Sequence, residues 1–364
     1  MARLNAQHMS QSLMATLSWL EIKRDYYERL KRGEARFLLV EGKTDERLFV
    51  RNLYNDDVIV CAVGDIFQSQ DVLRRNYSSS CQGLGTTEIR KPTTELVNSK
   101  NAVIEILSAF HFAPVFNIDA SSWKVFGVVD SDYSNESETT SLQNLFMTDT
   151  HDIETLLLMT DETLLNRILN GLFSDDDIKK AYYLSYQLAI LRTVFYADTY
   201  KTKIKTLEGE PILLWRTIKT RLRNMQDRTL GSIVIGDAID VTKLVRYVYD
   251  GILLDNEVME WSVRYMHDEI MKKHIDANTG KWKEHWDTFQ LEEDFYQLTQ
   301  GHDIARFLRY VTRNRRSDLS YEDQTRIRNM EFLLVDNYCL SCLKKSQLGI
   351  DLINNRIWKD PPSM

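Results

Sequence analysis

The chain has 364 residues, 43% of them hydrophobic and 27% charged, with a formal net charge of −7 at pH 7. That is enough apolar material for one large domain or two ordinary ones, which excludes a disordered polyelectrolyte, and the acidic balance requires any nucleic acid to meet a local basic face. The cysteines Cys61, Cys81, Cys339 and Cys342 are too scattered for a disulfide scaffold, so a reduced cytoplasm is the expected compartment.

The amino terminus lacks the charged, apolar and small-residue succession of a signal peptide. No apolar run approaches the ~18 residues that span a bilayer, so a soluble protein with no membrane partner is expected. The 14 Gly and 5 Pro favour helices joined by short polar turns over a many-turned all-β fold.

Residues 12–32 place Leu13, Leu17, Leu20, Tyr27 and Leu30 near one helical face, with Gly33 as a stop. Phe37-Leu38-Leu39-Val40 then reads as a buried parallel strand ending abruptly in Glu41-Gly42. A helix is expected from about 44 to 54, with Thr44 as its cap and Asp45 and Glu46 favourable in its first turn. Val58 to Val63 reads as a second strand. Residues 64–97 lose the apolar period and are assigned to an insertion or loop, whose Arg74, Arg75, Arg90 and Lys91 suit either phosphate or solvent.

A helical period returns from Asn98 to Phe110, and Lys124-Val125-Phe126-Gly127-Val128-Val129 forms a third strand ending in Asp130-Ser131-Asp132. Strand, helix, strand, helix, strand implies a parallel α/β sheet with both acidic strand ends on one edge. Leu145-Phe146-Met147 is short enough for a further strand. It leads through Thr148-Asp149-Thr150-His151-Asp152-Ile153-Glu154 into an apolar helix.

Beyond residue 160 the strand signal fades. Helices are expected at about 176–197, 211–226, 240–253, 257–274, 283–298, 302–313 and 321–345. The organisation read from the chain is therefore a leading helix (1–33), an α/β domain (34–160) and a mainly α-helical domain (161–364).

A carboxylate at one strand end and an Asp-x-Asp at its neighbour are hard oxygen ligands suited to Mg2+ or Mn2+ rather than zinc. Clustered carboxylates cost electrostatic energy unless a cation neutralises them, and such a cation can stabilise charge on a phosphodiester and help form hydroxide. Taken singly, Glu41 reads as a helix-capping or exposed acid. Joined to Asp130 and Asp132 it reads as a metal ligand.

Val40-Glu41-Gly42, followed one βαβα unit later by Val128-Val129-Asp130-Ser131-Asp132, resembles the TOPRIM fold of topoisomerases, primases and the overcoming-lysogenization-defect (OLD) nucleases. The resemblance covers roughly residues 36–160. It implies that Glu41, Asp130 and Asp132 bind catalytic metal and that Glu41 serves acid/base chemistry; Asp45 resembles the extra acid of the OLD-like branch. Glu41-Gly42-Lys43-Thr44-Asp45, the 148–154 segment and Gly301-His302-Asp303 together resemble the TOPRIM effector subunit of the PARIS anti-phage system. That resemblance implies a toxin-like endonuclease restrained by an ATPase sensor subunit and directed at host transfer RNA, with room for a homodimer. The alternatives are a DNA-cleaving OLD-like nuclease, a non-catalytic TOPRIM-like interaction module and a primase-like transferase.

Glu154 is a candidate further ligand, and His151 a candidate to position phosphate or transfer a proton, against the plainer reading in which Asp152 caps the helix and His151 satisfies a buried hydrogen bond. Lys43 suits phosphate or an exposed turn. His302 and Asp303 suit a site or a helix start. Arg306, Arg309 and Arg313 share a helical face, with Arg315, Arg316, Arg326 and Arg328 nearby. They form either a phosphate-binding stripe or a solvated face paired with Asp318, Glu322 and Asp323. Cys339-x-x-Cys342 lacks a second ligand pair at zinc-ribbon spacing and reads as two helix-borne thiols, one of them buried. No Walker-type loop is present, which assigns any ATP hydrolysis to the partner.

Overall fold

Four consecutive apolar residues, Phe37 to Val40, are wholly buried in the computed structural model of the protein, each burial contributing about 1.5–3 kcal/mol. They lie in β1 (Arg36–Val40), which sits between two parallel neighbours, β2 (Val58–Ala62) and β3 (Lys124–Val129); β4 (Leu145–Met147) extends the sheet to the order β2-β1-β3-β4. The structure describes residues 6–53, 55–66, 99–111, 123–131, 142, 144–169, 172–197, 221–222, 225, 227–250, 256–274, 293–312 and 319–358. The expected strands are all present at their expected places, and the architecture is α/β with a parallel sheet flanked by helices.

Both faces of this sheet are covered, which is why its strands read as continuous apolar runs rather than alternating ones. One face presents Phe37, Leu39, Ile59, Cys61, Val125 and Val129 to a core shared with Leu13, Leu20, Val103 and Ile106. The last four come from α1 (Ala6–Ile22) and α4 (Ser99–His111), which pack on each other, α4 also covering β3. Gly127 is required here: a Cβ would lie 2.6 Å from Leu107 Cδ1 and 2.7 Å from Val103 Cγ1. On the opposite face Phe126 stacks on Phe146 with ring centroids 6.0 Å apart.

The leading helix is two helices, α1 and α2 (Arg24–Lys31), broken at Lys23, whose backbone leaves the helical region at φ −101°, ψ 61°. In α3 (Lys43–Asn52) the cap is Gly42 rather than the expected Thr44. Gly42 is extended, and its N–H donates to Asp45 Oδ2 at 2.9 Å, so the acid three residues on supplies what a capping side chain otherwise would. Of the expected 64–97 insertion only the first residues are described, in a short helical turn at 63–66. Arg74, Arg75, Arg90 and Lys91 lie outside the described residues.

The chain divides into two compact units, Met1–Leu164 with Val335–Met364, and Leu165–Leu334. The returning segment joins the first unit through paired polar contacts. Arg47 and Arg51 both engage Asp336, and Asn55 Nδ2 donates to the carbonyls of Arg356 and Ile357 at 3.1 and 3.0 Å. Asp149 accepts from the N–H groups of Gln347 (2.6 Å) and Leu348 (3.0 Å), holding the start of a helix at Gln347–Asn354. Glycine is required at 349, where a Cβ would fall 2.0 Å from the Leu343 carbonyl oxygen.

The second unit is mainly helical. Helices Asp175–Tyr196 and Gly301–Val311 pack on each other, and wholly buried Arg192 from the first pairs with wholly buried Asp303 from the second. Arg192 also donates to Gln300 Oε1 and to the Leu222 carbonyl, each at 2.9 Å.

Two features correct the sequence reading of this half. Val234–Ile235 and Ala238–Ile239 form a two-stranded hairpin turned at Gly236-Asp237, with Gly236 at φ 63°; two-residue strands are too short to show a period. The expected helix over 321–345 is three helices, Tyr321–Arg328, Met330–Asn337 and Leu340–Leu343. The chain breaks at Asn329 (φ −101°, ψ 24°) and again where Cys339 turns extended. Of the expected 211–226 helix, residues 221–222 are helical and Met225 is not; of the expected 283–298 helix, the described part, Glu293–Leu298, is helical.

Candidate metal centre

The register of the sheet places the two acidic strand ends side by side. Val40 aligns with Val128, so Glu41 lies one residue and Asp130 two residues beyond the same aligned pair on adjacent parallel strands. Glu41 Oε1 accepts a hydrogen bond from the Asp130 N–H at 2.8 Å, which ties the two strand ends together. Asp130 Oδ1 in turn accepts from the N–H of Ile153 at 3.1 Å, the first residue of α5 (Ile153–Thr160). An acid there meets the positive end of the helix dipole.

Asp130 is the electrostatic centre of the group. Its carboxyl is pushed well above the ordinary range, first by desolvation and then by the negative charges of Glu41, Asp45, Asp152 and Glu154. The four other acids therefore all act on Asp130. Asp45 is held by the Gly42 N–H, while Glu154 is buried in the first turn of α5. Asp152 is its N-cap, accepting from the Thr155 N–H at 2.9 Å and from its hydroxyl at 2.8 Å. Asp152 thus caps the helix, as the plainer sequence reading had it, and also adds charge to the cluster. Glu41, Asp45, Asp130, Asp152 and Glu154 could hold a cation. Asp132, the second acid of the Asp-x-Asp, lies outside the described residues.

His151 is only 2% exposed, and its Nδ1 lies 3.7 Å from Asp152 Oδ2. It lies beside Asp152, at ion-pair rather than hydrogen-bond distance. Lys43 is exposed and bonded to the carboxylates of Glu46 and Asp65. His302, half-exposed, has Nε2 3.9 Å from Glu331 Oε2. Asp303 belongs to the Arg192 pair in the core of the second unit, with Arg306 Nη1 3.3 Å from its Oδ1. Arg326 pairs with Glu322 at 2.7 Å, the solvated arrangement. Arg313, Arg315, Arg316 and Asp318 lie outside the described residues.

Sequence reasoning missed Lys100. It is buried, and its ammonium donates to the carbonyls of Asp130 and Ser131, bringing a positive charge to the backbone of the acidic strand end. The available signal was a lysine at the start of an otherwise apolar helix. Also missed was a chain of hydroxyls that fixes the loop after β4. Ser131 N–H donates to Thr148 Oγ1 (3.0 Å), Thr148 Oγ1 to the Thr150 carbonyl (2.7 Å) and Thr150 Oγ1 to the Asp152 carbonyl (2.9 Å).

Comparison with protein-family models, with curated proteins and with solved structures finds no match in any of the three.

Proposed function

We propose that the chain is a divalent-metal-dependent endonuclease of TOPRIM type. The observation that carries this reading is the meeting of Glu41 and Asp130 at adjacent parallel strand ends within the field of Asp45, Asp152 and Glu154. Sites in open α/β sheets form at the carboxyl ends of strands, and hard oxygen ligands in this number suit Mg2+ or Mn2+. Glu41, Asp45, Asp130, Asp132 and Glu154 would hold the metal, which supplies charge stabilisation on a phosphodiester and a lowered pKa for bound water. Glu41 fixes the Asp130 backbone, and α5 presents its N–H groups to Asp130. His151 acts through Asp152 as a positioning residue. The finer reading follows the family resemblance: an effector of anti-phage defence that cleaves host transfer RNA when an ATPase sensor subunit releases it.

The test incubates the purified chain with transfer RNA and with duplex DNA, in Mg2+ or Mn2+ and in chelator, beside Glu41→Gln. The glutamine keeps an oxygen for the Asp130 N–H, so the variant is expected to fold and to lose cleavage. Metal-dependent loss of intact transfer RNA by the wild type alone supports the proposal. Cleavage of DNA alone moves the chain to the OLD-like nucleases. Undiminished cleavage by folded Glu41→Gln removes Glu41 from the chemistry. No cleavage of either substrate, with tight binding of an ATPase partner, favours an interaction module.

A further inference from the structure

We propose that Cys339 and Cys342 are a redox-active dithiol that closes to an intrachain disulfide on reaction with a low-molecular-weight disulfide such as oxidised glutathione. The two residues flank one turn of chain: Cys339 is the extended N-cap of the helix Leu340–Leu343, and Cys342 lies within it. As the N-cap and the third residue of this helix they stand in the relation in which capping side chains meet, which brings both thiols to one side of the turn. Cys339 is exposed and Cys342 half-buried, which offers one sulfur to solvent and keeps the other behind it.

The two thiols differ in acidity in the sense that such a pair requires. Cys339 is lowered, chiefly because its sulfur lies 3.1 Å from the Ser341 hydroxyl. Cys342 is raised by desolvation and by the charges of Asp161 and Cys339. Cys339 is therefore the attacking sulfur and Cys342 the resolving one. The other described cysteine, Cys61, is buried and its thiol is pushed far up by burial, which makes it inert. A metal is the less fitting occupant. Among the described residues no group of three ligand side chains includes either cysteine, and both oxygens of nearby Asp161 accept hydrogen bonds, Oδ2 from the Cys339 N–H and Oδ1 from Thr163.

In the first step the Cys339 thiolate attacks one sulfur of glutathione disulfide. The S–S bond breaks, one glutathione thiolate leaves, and a mixed disulfide forms on Cys339. Cys342 then gives its proton to solvent and attacks the Cys339 sulfur, expelling the second glutathione thiolate. Both expelled thiolates take up protons from solvent near neutral pH. The net change oxidises two protein thiols to one disulfide and reduces glutathione disulfide to two thiols.

The experiment equilibrates the reduced full chain against glutathione buffers of increasing oxidation, quenches by alkylation and maps the peptides. The expected result is paired loss of the Cys339 and Cys342 thiols into one bridge, reversed by dithiothreitol. In Cys342→Ser the reaction is expected to stop at a single glutathione on Cys339, and Cys339→Ser to leave Cys342 unmodified. Retention of both thiols in fully oxidised glutathione, a stable glutathione adduct on Cys339 in the wild type, or a bridge to Cys81 would each overturn the proposal. The wild-type map decides even if a variant does not fold.

Discussion

Asp130→Asn isolates the electrostatic cost of the acidic strand end, because the substitution is nearly isosteric and leaves Oδ1 to accept from the Ile153 N–H at 3.1 Å. In the wild type the folded-state pKa of this carboxyl is raised above its unfolded value of about 3.9 by desolvation and four neighbouring carboxylates. The folded chain therefore holds a proton that the unfolded chain releases. Stability contributed by this group is present below the unfolded pKa and is lost as pH rises through the folded one. Asparagine carries no charge at any pH, so the variant gains on the wild type across that window and keeps the gain above it. Asp130 is half-buried, and with solvent screening the gain at neutral pH is about 1–2 kcal/mol, a midpoint rise of a few degrees. Urea unfolding of both proteins in chelator over a pH series measures the difference. Adding Mg2+ then stabilises the wild type more than the variant. A variant that is less stable than the wild type at neutral pH without metal, or a gain that shrinks as pH rises, would refute the reasoning.

Gly127→Ala is expected to cost about 1–3 kcal/mol, since its Cβ would meet Leu107 and Val103 at 2.6 and 2.7 Å; denaturant melts check this, and Leu107→Ala in the same chain is expected to recover part of it. Asp149→Ala removes two backbone partners at the start of the helix Gln347–Asn354, a loss of about 1–2 kcal/mol that limited proteolysis reads as earlier cleavage after residue 335. Asp303→Ala leaves Arg192 buried without its carboxylate and is expected to cost about 3–5 kcal/mol, while Arg192→Met with Asp303→Leu recovers most of it in thermal melts.

Where sequence and structure agree, an unambiguous physical signal is responsible. Parallel strands buried on both faces cannot alternate, so Phe37–Val40 and Val125–Val129 announce themselves as apolar runs, and their abrupt acidic ends mark the sheet edge. Asp152 caps its helix as the plainer sequence reading had it, its side chain accepting from the Thr155 N–H three residues on. What was illegible depends on partners distant in sequence. Nothing local to Asp149 indicates that it receives the N–H groups of Gln347 and Leu348, or to Asp303 that it neutralises a wholly buried arginine 111 residues earlier. The three-helix break over 321–345 was hidden by an apolar pattern that runs through Asn329 and Cys339, both of which leave the helical backbone. In the Cys339/Cys342 pair the spacing was visible, but the expected burial of one thiol was not met: one is exposed and the other half-buried.

Four carboxylates bearing on Asp130 would drive these strand ends apart unless something opposed them. Neutral donors meet four of these acids: the Asp130 N–H to Glu41, the Gly42 N–H to Asp45, the Ile153 N–H to Asp130 and the Thr155 N–H to Asp152. Such donors aim a carboxylate and stabilise its charge locally, but they cancel none of it. Lys100 adds a full positive charge beside them, donating to the carbonyls of Asp130 and Ser131. The acids are thus aimed by backbone donors, while Asp130 still feels the negative charge of its four neighbours. A divalent cation placed among them would turn that repulsion into attraction without moving the backbone, so stability forgone in its absence reappears as affinity for it. A cluster kept only as a structural relic would gain nothing from paying this cost, and isosteric amides at Glu41 and Asp130 would serve it better.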